Sequence, residues 1–173
     1  GLRGRRRGKA HPPGRRPPLM TTPARNFHAT AILVGEAGLL FVGPSGIGKS
    51  AMALQCLATA RRAGWTAALV SDDQVFISRR GGRLVAGRAG TIAGLLEIRG
   101  SGIAEVPSIP EALLSLAVLL VEPGSAERLP LPDETYALHD LGSLPQVRLV
   151  NNHREPLAAI AALRPGLGIP SSL

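Results

Sequence analysis

Leu39-Leu40-Phe41-Val42-Gly43-Pro44-Ser45-Gly46-Ile47-Gly48-Lys49-Ser50 is the stretch on which the reading of the fold turns. Its first four residues form a continuous apolar run, the pattern of a short strand buried on both faces. Its last eight satisfy G-x-x-x-x-G-K-[ST], with Gly43, Gly48, Lys49 and Ser50 at the fixed positions and Pro44, Ser45, Gly46 and Ile47 between them. From Lys49 to Arg62 the composition is helical, and Gly64 is placed to end that helix. The expected order is therefore strand, glycine loop, helix.

That order has a chemical meaning. Glycines let main-chain N–H groups approach an anion closely. The loop ends at a helix N-terminus, where free N–H groups and the helix dipole favour negative charge. Lys49 can place an ammonium on the β- and γ-phosphates of a nucleotide such as ATP. The Ser50 hydroxyl is the hard oxygen ligand that Mg²⁺ prefers. Gly43 to Ser50 thus reads as a nucleotide-binding loop, with ATP and Mg²⁺ as its expected ligands.

Working outward, Asn26–Val34 is an extended apolar stretch, and Gly35-Glu36-Ala37-Gly38 reads as a hairpin turn. Trp65–Val70 is a second apolar strand ending at Ser71-Asp72-Asp73. Gln74–Ser78 and Arg83–Ala86 form a hairpin about Gly81-Gly82. Gly87–Gly94 is a small-residue loop, Leu113–Val121 reads as a strand, and residues 122–146 are Pro-rich and read as irregular. Val147–Val150 is a last strand and Glu155–Leu163 a last helix. Strands alternating with helices give an α/β domain, and the hairpins beside the loop make its sheet mixed.

Asp72 and Asp73 follow an apolar strand. In open α/β sheets, the C-terminal ends of the strands face the ligand. One carboxylate is suited to hold Mg²⁺ or its waters, and the other to take a proton from an incoming hydroxyl. Adjacent residues of an extended chain point to opposite sides, so the two need not share a role. Glu97 and Arg99 alternate on one face of a short glycine-flanked segment. His28 starts the first strand; a lone His there suits packing better than chemistry. His11, His139 and His153 show no metal-ligand spacing.

Charge is distributed unevenly. Residues 1–19 hold Arg3, Arg5, Arg6, Arg7, Lys9, Arg15 and Arg16 and no acid, leaving 13 basic against 12 acidic residues from Met20 onward. All but one unit of the net charge of +8 therefore belongs to a Pro/Gly/Arg-rich tail over residues 1–22, disordered by composition. The tail reads as translated upstream sequence in preference to a nucleic-acid-binding arm or a targeting segment. The domain proper is placed at 23–173, with no nucleic-acid partner expected. Aromatic residues are only 3% of the chain, too few for base-stacking platforms. The lone Cys56 precludes an intrachain disulfide and reads as a buried small hydrophobe. The longest apolar run, Ala112–Val121, is too short for a membrane helix, so a cytoplasmic protein without a membrane partner is expected.

Four ordered pieces resemble the C-terminal catalytic domain of the bacterial HPr kinase/phosphorylase family. They are Phe27-His28-Ala29-Thr30, Gly43–Ser50, Leu69-Val70-Ser71-Asp72-Asp73-Gln74-Val75 and Leu95-Leu96-Glu97-Ile98-Arg99-Gly100-Ser101-Gly102-Ile103. The resemblance spans about residues 26–121 and is to the short proteobacterial form. It implies a fold related to the nucleotide-binding part of PEP carboxykinases and an ATP- and Mg²⁺-dependent protein-serine kinase. The implied partner is HPr or an HPr-like phosphocarrier of the phosphotransferase system, and the implied assembly a homo-oligomer, hexameric in full-length members. Many members also run the reverse reaction, in which inorganic phosphate attacks phosphoserine and releases pyrophosphate. By the same resemblance Asp73 is the catalytic base, Lys49 stabilises the transferring phosphoryl group, and His28 lies near the γ-phosphate. Ser50 and Glu97 match magnesium ligands, and Arg99 belongs to the segment that serves both directions.

The chain departs from the family where Ala51 replaces the Glu that usually follows the loop serine. The stretch between helix and acidic pair is longer, through Arg61-Arg62-Ala63-Gly64-Trp65-Thr66. Arg148 and Arg154 are the candidates for a further catalytic arginine near the C-terminus. Two other readings stay open on the residues alone: a kinase of the same fold acting on another substrate, and an ATP-binding regulatory module without transfer activity.

Overall fold

The computed structural model describes residues 21–90, 92–125 and 129–169. The tail expected over residues 1–22 lies outside the described residues except at its end. There Thr21 bridges Arg80, and the Thr22 N–H donates to the Arg79 carbonyl at 3.1 Å.

Thirteen regular elements follow in order: β1 (Arg25–Phe27), β2 (Thr30–Val34), β3 (Ala37–Val42), α1 (Lys49–Arg62), β4 (Ala67–Ser71), β5 (Val75–Arg80), β6 (Arg83–Gly87), β7 (Leu95–Ile98), β8 (Gly102–Glu105), β9 (Glu111–Val121), β10 (Thr135–Ala137), β11 (Ser143–Val150) and α2 (Pro156–Leu163). A 3₁₀ turn at His139–Leu141 separates β10 from β11. The main sheet runs β1-β5-β6-β9-β3-β2-β4, with β11 on β9 and β10 on β11; β7 and β8 make a separate hairpin. β3, β9 and β11 are parallel, while the other pairs are antiparallel, so the sheet is mixed as expected.

β3 is wholly buried, as its apolar run predicts. Leu39 and Phe41 face one core with α1 and α2; Leu40 and Val42 face the other. The second core is closed by Val75 and Ile77 of β5, Leu84 and Ala86 of β6, and Leu138 and Leu141 beside the 3₁₀ turn. The sheet thus curls over its own helix-free face. Cys56 lies in the helix-side core, where burial pushes its thiol up to about 12, as suits a packing residue.

Where α1 ends, the Gly64 N–H donates to the Arg61 carbonyl at 3.0 Å and the Trp65 N–H to the Ala60 carbonyl at 2.9 Å. That pair of bonds is a Schellman cap, and Trp65 packs back on the core. Consequently β4 starts at Ala67, after the cap, and not at Trp65.

Three expectations need correction. Asn26–Val34 is not one strand: β1 pairs with β5, and after His28-Ala29 the chain moves to β3 and β4 as β2. The hairpin turn is only Gly35-Glu36, because Val34 already pairs with Ala37. Residues 122–146 are not uniformly irregular, since β10 pairs with the first residues of an eight-residue β11. Pro145 hid that strand, and its missing N–H is tolerated where Thr135 of the short β10 is its partner.

Gly38, expected in a turn, instead lies in β3 where β9 comes closest. A Cβ there would overlap the Leu113 carbonyl. Gly38→Ala is therefore expected to destabilise the fold by about 3 kcal/mol. Gly90→Ala, with nothing within 4 Å of the added carbon, is the matched control. Chemical denaturation of the two variants checks this; equal midpoints would show that β3 and β9 can separate freely.

Candidate active site

Strand direction brings the functional segments together. β2 is antiparallel to both β3 and β4. The start of β2 therefore lies at the same end of the sheet as the finish of β3 and of β4. His28 and Thr30 come from that start, the glycine loop from the finish of β3, and Asp72-Asp73 from the finish of β4. The β7–β8 hairpin is pinned beside them by Leu96, fully buried in the helix-side core.

These segments line one cavity of about 470 Å³. His28, Thr30, Ser45, Gly46, Gly48, Lys49, Ser50, Asp72, Asp73, Glu97 and Arg99 reach it, so every expected catalytic and metal residue does. Of the loop, Gly43, Pro44 and Ile47 are not on its wall. Ile47 instead packs into the core, only 7% exposed. Ala51, Leu54, Gln55 and Ala58 extend the wall along α1.

The loop has the form an anion needs. Gly48 caps α1 at φ 110° with no side-chain hydrogen bond, which leaves the helix N–H groups free. Lys49, 6% exposed, donates from Nζ to the carbonyls of Gly43 and Pro44, both at 3.0 Å. Burial pulls its ammonium below the ordinary lysine range. Asp73 and Asp72 oppose that shift, and Arg99 adds to it. Arg99 lies over the loop: its guanidinium nitrogen is 3.0 Å from where a Gly46 side chain would begin.

The two carboxylates part company, as expected, but a turn beyond the end of β4 separates them and not alternation within the strand. Asp72 accepts at Oδ1 from Ser50 Oγ (2.7 Å) and Thr30 Oγ1 (2.8 Å), and at Oδ2 from the Glu97 N–H (3.2 Å). Asp73 turns to His28, whose Nδ1 is 2.9 Å from Oδ1 and 3.2 Å from the Asp73 carbonyl. Both partners are acceptors, so Nδ1 carries the hydrogen. Asp73 has φ 66°, and the Gln74 N–H donates back to the Asp72 carbonyl at 2.8 Å. An i to i+2 bond around a residue of positive φ is a γ-turn, a strained three-residue turn. Asp73 is its apex.

The sequence assigns Thr30 no role, although it closes the Phe27–Thr30 motif. The candidate arginines from the C-terminal part do not join the site. Arg148 makes a two-pronged ion pair with Glu134, at 2.8 and 2.6 Å, which lowers the Glu134 carboxyl below its usual range. Arg154 is exposed; its backbone carbonyl accepts from Gln55 at 2.8 Å.

As a metal site, the residues offer hard oxygen donors, Ser50 Oγ and the Asp72 carboxylate. Among the described residues no group of three or more His, Cys, Asp or Glu is placed to hold a metal alone. Mg²⁺ does not need such a cage; it takes one or two protein oxygens and completes its shell with phosphate and water. Ser50 donates its hydrogen to Asp72, which leaves its lone pairs for a cation. No helix of the described residues is long and apolar enough to cross a membrane.

A similar fold and similar sequences occur in known proteins. The structure of the Hpr(Ser) kinase/phosphatase from Coxiella burnetii superposes with a TM-score of 0.66 at 23% identity, over 80% of this chain and 87% of that one. An HPr kinase/phosphorylase of Clostridium tetani is 38% identical over 87 residues, 50% of this chain and 27% of the relative. One of Geobacter sulfurreducens is 29% identical over 138 residues, 73% of this chain and 41% of the relative. The chain thus spans less than half the length of these curated relatives. The sequence profile of the HPr Serine kinase C-terminal domain matches residues 20–111, more than half of the chain, and the chain belongs to that family.

Proposed function

We propose that this domain transfers the γ-phosphoryl group of ATP to a serine hydroxyl of an HPr-like phosphocarrier protein in the cytoplasm. One observation carries the reading: Asp73, at the apex of a γ-turn and held by His28, opens on the same cavity as Lys49 and the phosphate loop. A base beside the phosphoryl group is what transfer to a hydroxyl requires. The family name, HPr Serine kinase, and the relatives' name, HPr kinase/phosphorylase, support a serine of an HPr-like protein as that hydroxyl.

In the forward step the serine O–H proton passes to an Asp73 carboxylate oxygen. The serine oxygen bonds to the γ-phosphorus as the bond from that phosphorus to the β–γ bridging oxygen breaks, and ADP leaves. Main-chain N–H groups of the loop, Lys49 and Arg99 face the charge that spreads over the moving phosphoryl oxygens. In reverse, Asp73 returns its proton to the serine as inorganic phosphate takes the phosphoryl group to form pyrophosphate. His28 keeps Asp73 turned toward the cavity. Ser50 and Asp72 would hold Mg²⁺, with Glu97 beside them, and the ion would supply charge neutralisation at the β- and γ-phosphates. A homo-oligomer, hexameric as in full-length members, belongs to the same reading.

The deciding experiment is transfer of label from ATP to purified HPr-type carriers. Folded protein that labels no cognate carrier would refute the assignment. Thr30→Val offers a finer check of the magnesium site, since it removes one of the donors that orient Asp72 at almost constant volume. It is expected to raise the Mg²⁺ concentration needed for half-maximal transfer by about tenfold. An unchanged Mg²⁺ titration would show that Ser50 and Glu97 orient Asp72 unaided.

A further inference from the structure

We propose that Asn151 is a positioning residue for the phosphate loop, holding the Ile47 carbonyl so that the Gly48 N–H faces the bound nucleotide. The inference rests on the nucleotide reading of that loop. Asn151 follows β11 directly, and β11 is parallel to β9, which is parallel to β3. The end of β11 therefore comes out beside the loop that follows β3, although the two are 104 residues apart in sequence. The Asn151 N–H is fastened to the Val121 carbonyl at 2.9 Å. Its side-chain Nδ2 lies 3.2 Å from the Ile47 carbonyl and 3.3 Å from Glu122 Oε2.

Both of those neighbours are acceptors only, which dictates the amide's orientation: the two hydrogens of Nδ2 serve one each. The consequence for the loop comes from peptide geometry. No peptide bond among the described residues is cis, and in a trans planar peptide the C=O and the following N–H point in opposite directions. With the Ile47 oxygen turned to Asn151, the Gly48 N–H points away from Asn151. Gly48 lines the cavity, whereas neither Ile47 nor Asn151 does. The amide thus acts from behind the loop, through the peptide that links Ile47 to Gly48. Gly48 holds φ 110°, and an anion cradle needs this N–H aimed consistently. Glu122, the residue after β9, accepts the other hydrogen and so keeps the Asn151 side chain in place.

The test separates positioning from simple stability. Asn151→Asp keeps the shape, removes the donor and sets a carboxylate against Glu122. Adding Glu122→Gln removes that repulsion and gives the new carboxylate a donor, while the Ile47 carbonyl remains without one. Mg-ATP binding is measured by titration calorimetry on wild type, Asn151→Asp, the Asn151→Asp/Glu122→Gln double variant and Lys49→Ala, at a temperature where circular dichroism shows each folded. The double variant is expected to bind Mg-ATP about tenfold more weakly than wild type, even as its melting temperature without nucleotide recovers from that of Asn151→Asp. Wild-type affinity in the double variant would overturn the proposal. If wild type and Lys49→Ala bind Mg-ATP alike, the nucleotide reading of the loop fails and the proposal fails with it.

Discussion

Asp73→Asn is expected to lower phosphoryl transfer to the carrier by about 10²–10⁴-fold, the usual worth of a positioned general base, while Mg-ATP binding stays within a few-fold of wild type. The amide keeps the size of the carboxylate and can still accept from His28 Nδ1, so the γ-turn has no new reason to open. What it loses is the ability to take the serine proton. Asp72 cannot stand in, because its carboxylate is already engaged by Ser50, Thr30 and the Glu97 N–H. Single-turnover labelling of the carrier, run beside calorimetric titration with Mg-ATP, checks both halves of the prediction. Full transfer by the variant would remove Asp73 from the role of base. Loss of ATP binding together with transfer would make it a binding group instead.

Lys49→Ala is expected to weaken Mg-ATP binding and to lower transfer by about 10²–10³-fold, the scale seen when one charge-stabilising donor is removed from a closed site. The lysine is buried among loop carbonyls, Asp72, Asp73 and Arg99, and no other lysine stands among the described residues to take its place. Its pH behaviour has a definite sign. Burial lowers the Lys49 pKa in the folded protein, so the charged form is lost at lower pH than for a free lysine. A phosphate anion binds the charged form, so nucleotide affinity is fully present below that lowered pKa and falls as pH rises through it. The free fold responds oppositely. The folded state binds the Lys49 proton less tightly than the unfolded chain, so this group's contribution to stability increases as pH rises from the folded toward the unfolded pKa. Titrations with Mg-ATP across alkaline pH check the first effect. An affinity that holds level until ordinary lysines deprotonate would show that the ammonium is not perturbed in the nucleotide-free protein.

The local parts were legible because they depend on neighbours in the chain. An apolar tetrad before a glycine loop and a helix reads as a buried strand, and β3 is one. The helix after it begins at Lys49 and ends at Arg62, as composition and Gly64 predict. The Asp72-Asp73 pair follows an apolar strand and divides its partners as expected, although a γ-turn at Asp73, and not strand alternation, turns the two carboxylates apart. Where the sequence misled, it did so through residues whose local meaning a distant partner overrides. Gly38 reads as a turn residue, yet it is a glycine because β9 passes too close for a Cβ. Pro145 reads as a breaker, yet β10 accepts it.

The sequence by itself determined the phosphate loop, the strand and helix on either side of it, and the residue types available for catalysis, since each is written in contiguous spacing. Only the tertiary structure decided how they act together. The sheet order sets the start of β2 beside the finish of β4, giving Asp72 to Ser50 and Thr30 and Asp73 to His28. It also decided that Arg148 belongs to Glu134 and that Asn151 reaches back to Ile47. Such pairings follow from which strands lie side by side and in which direction they run, and hydrophobic periodicity records neither.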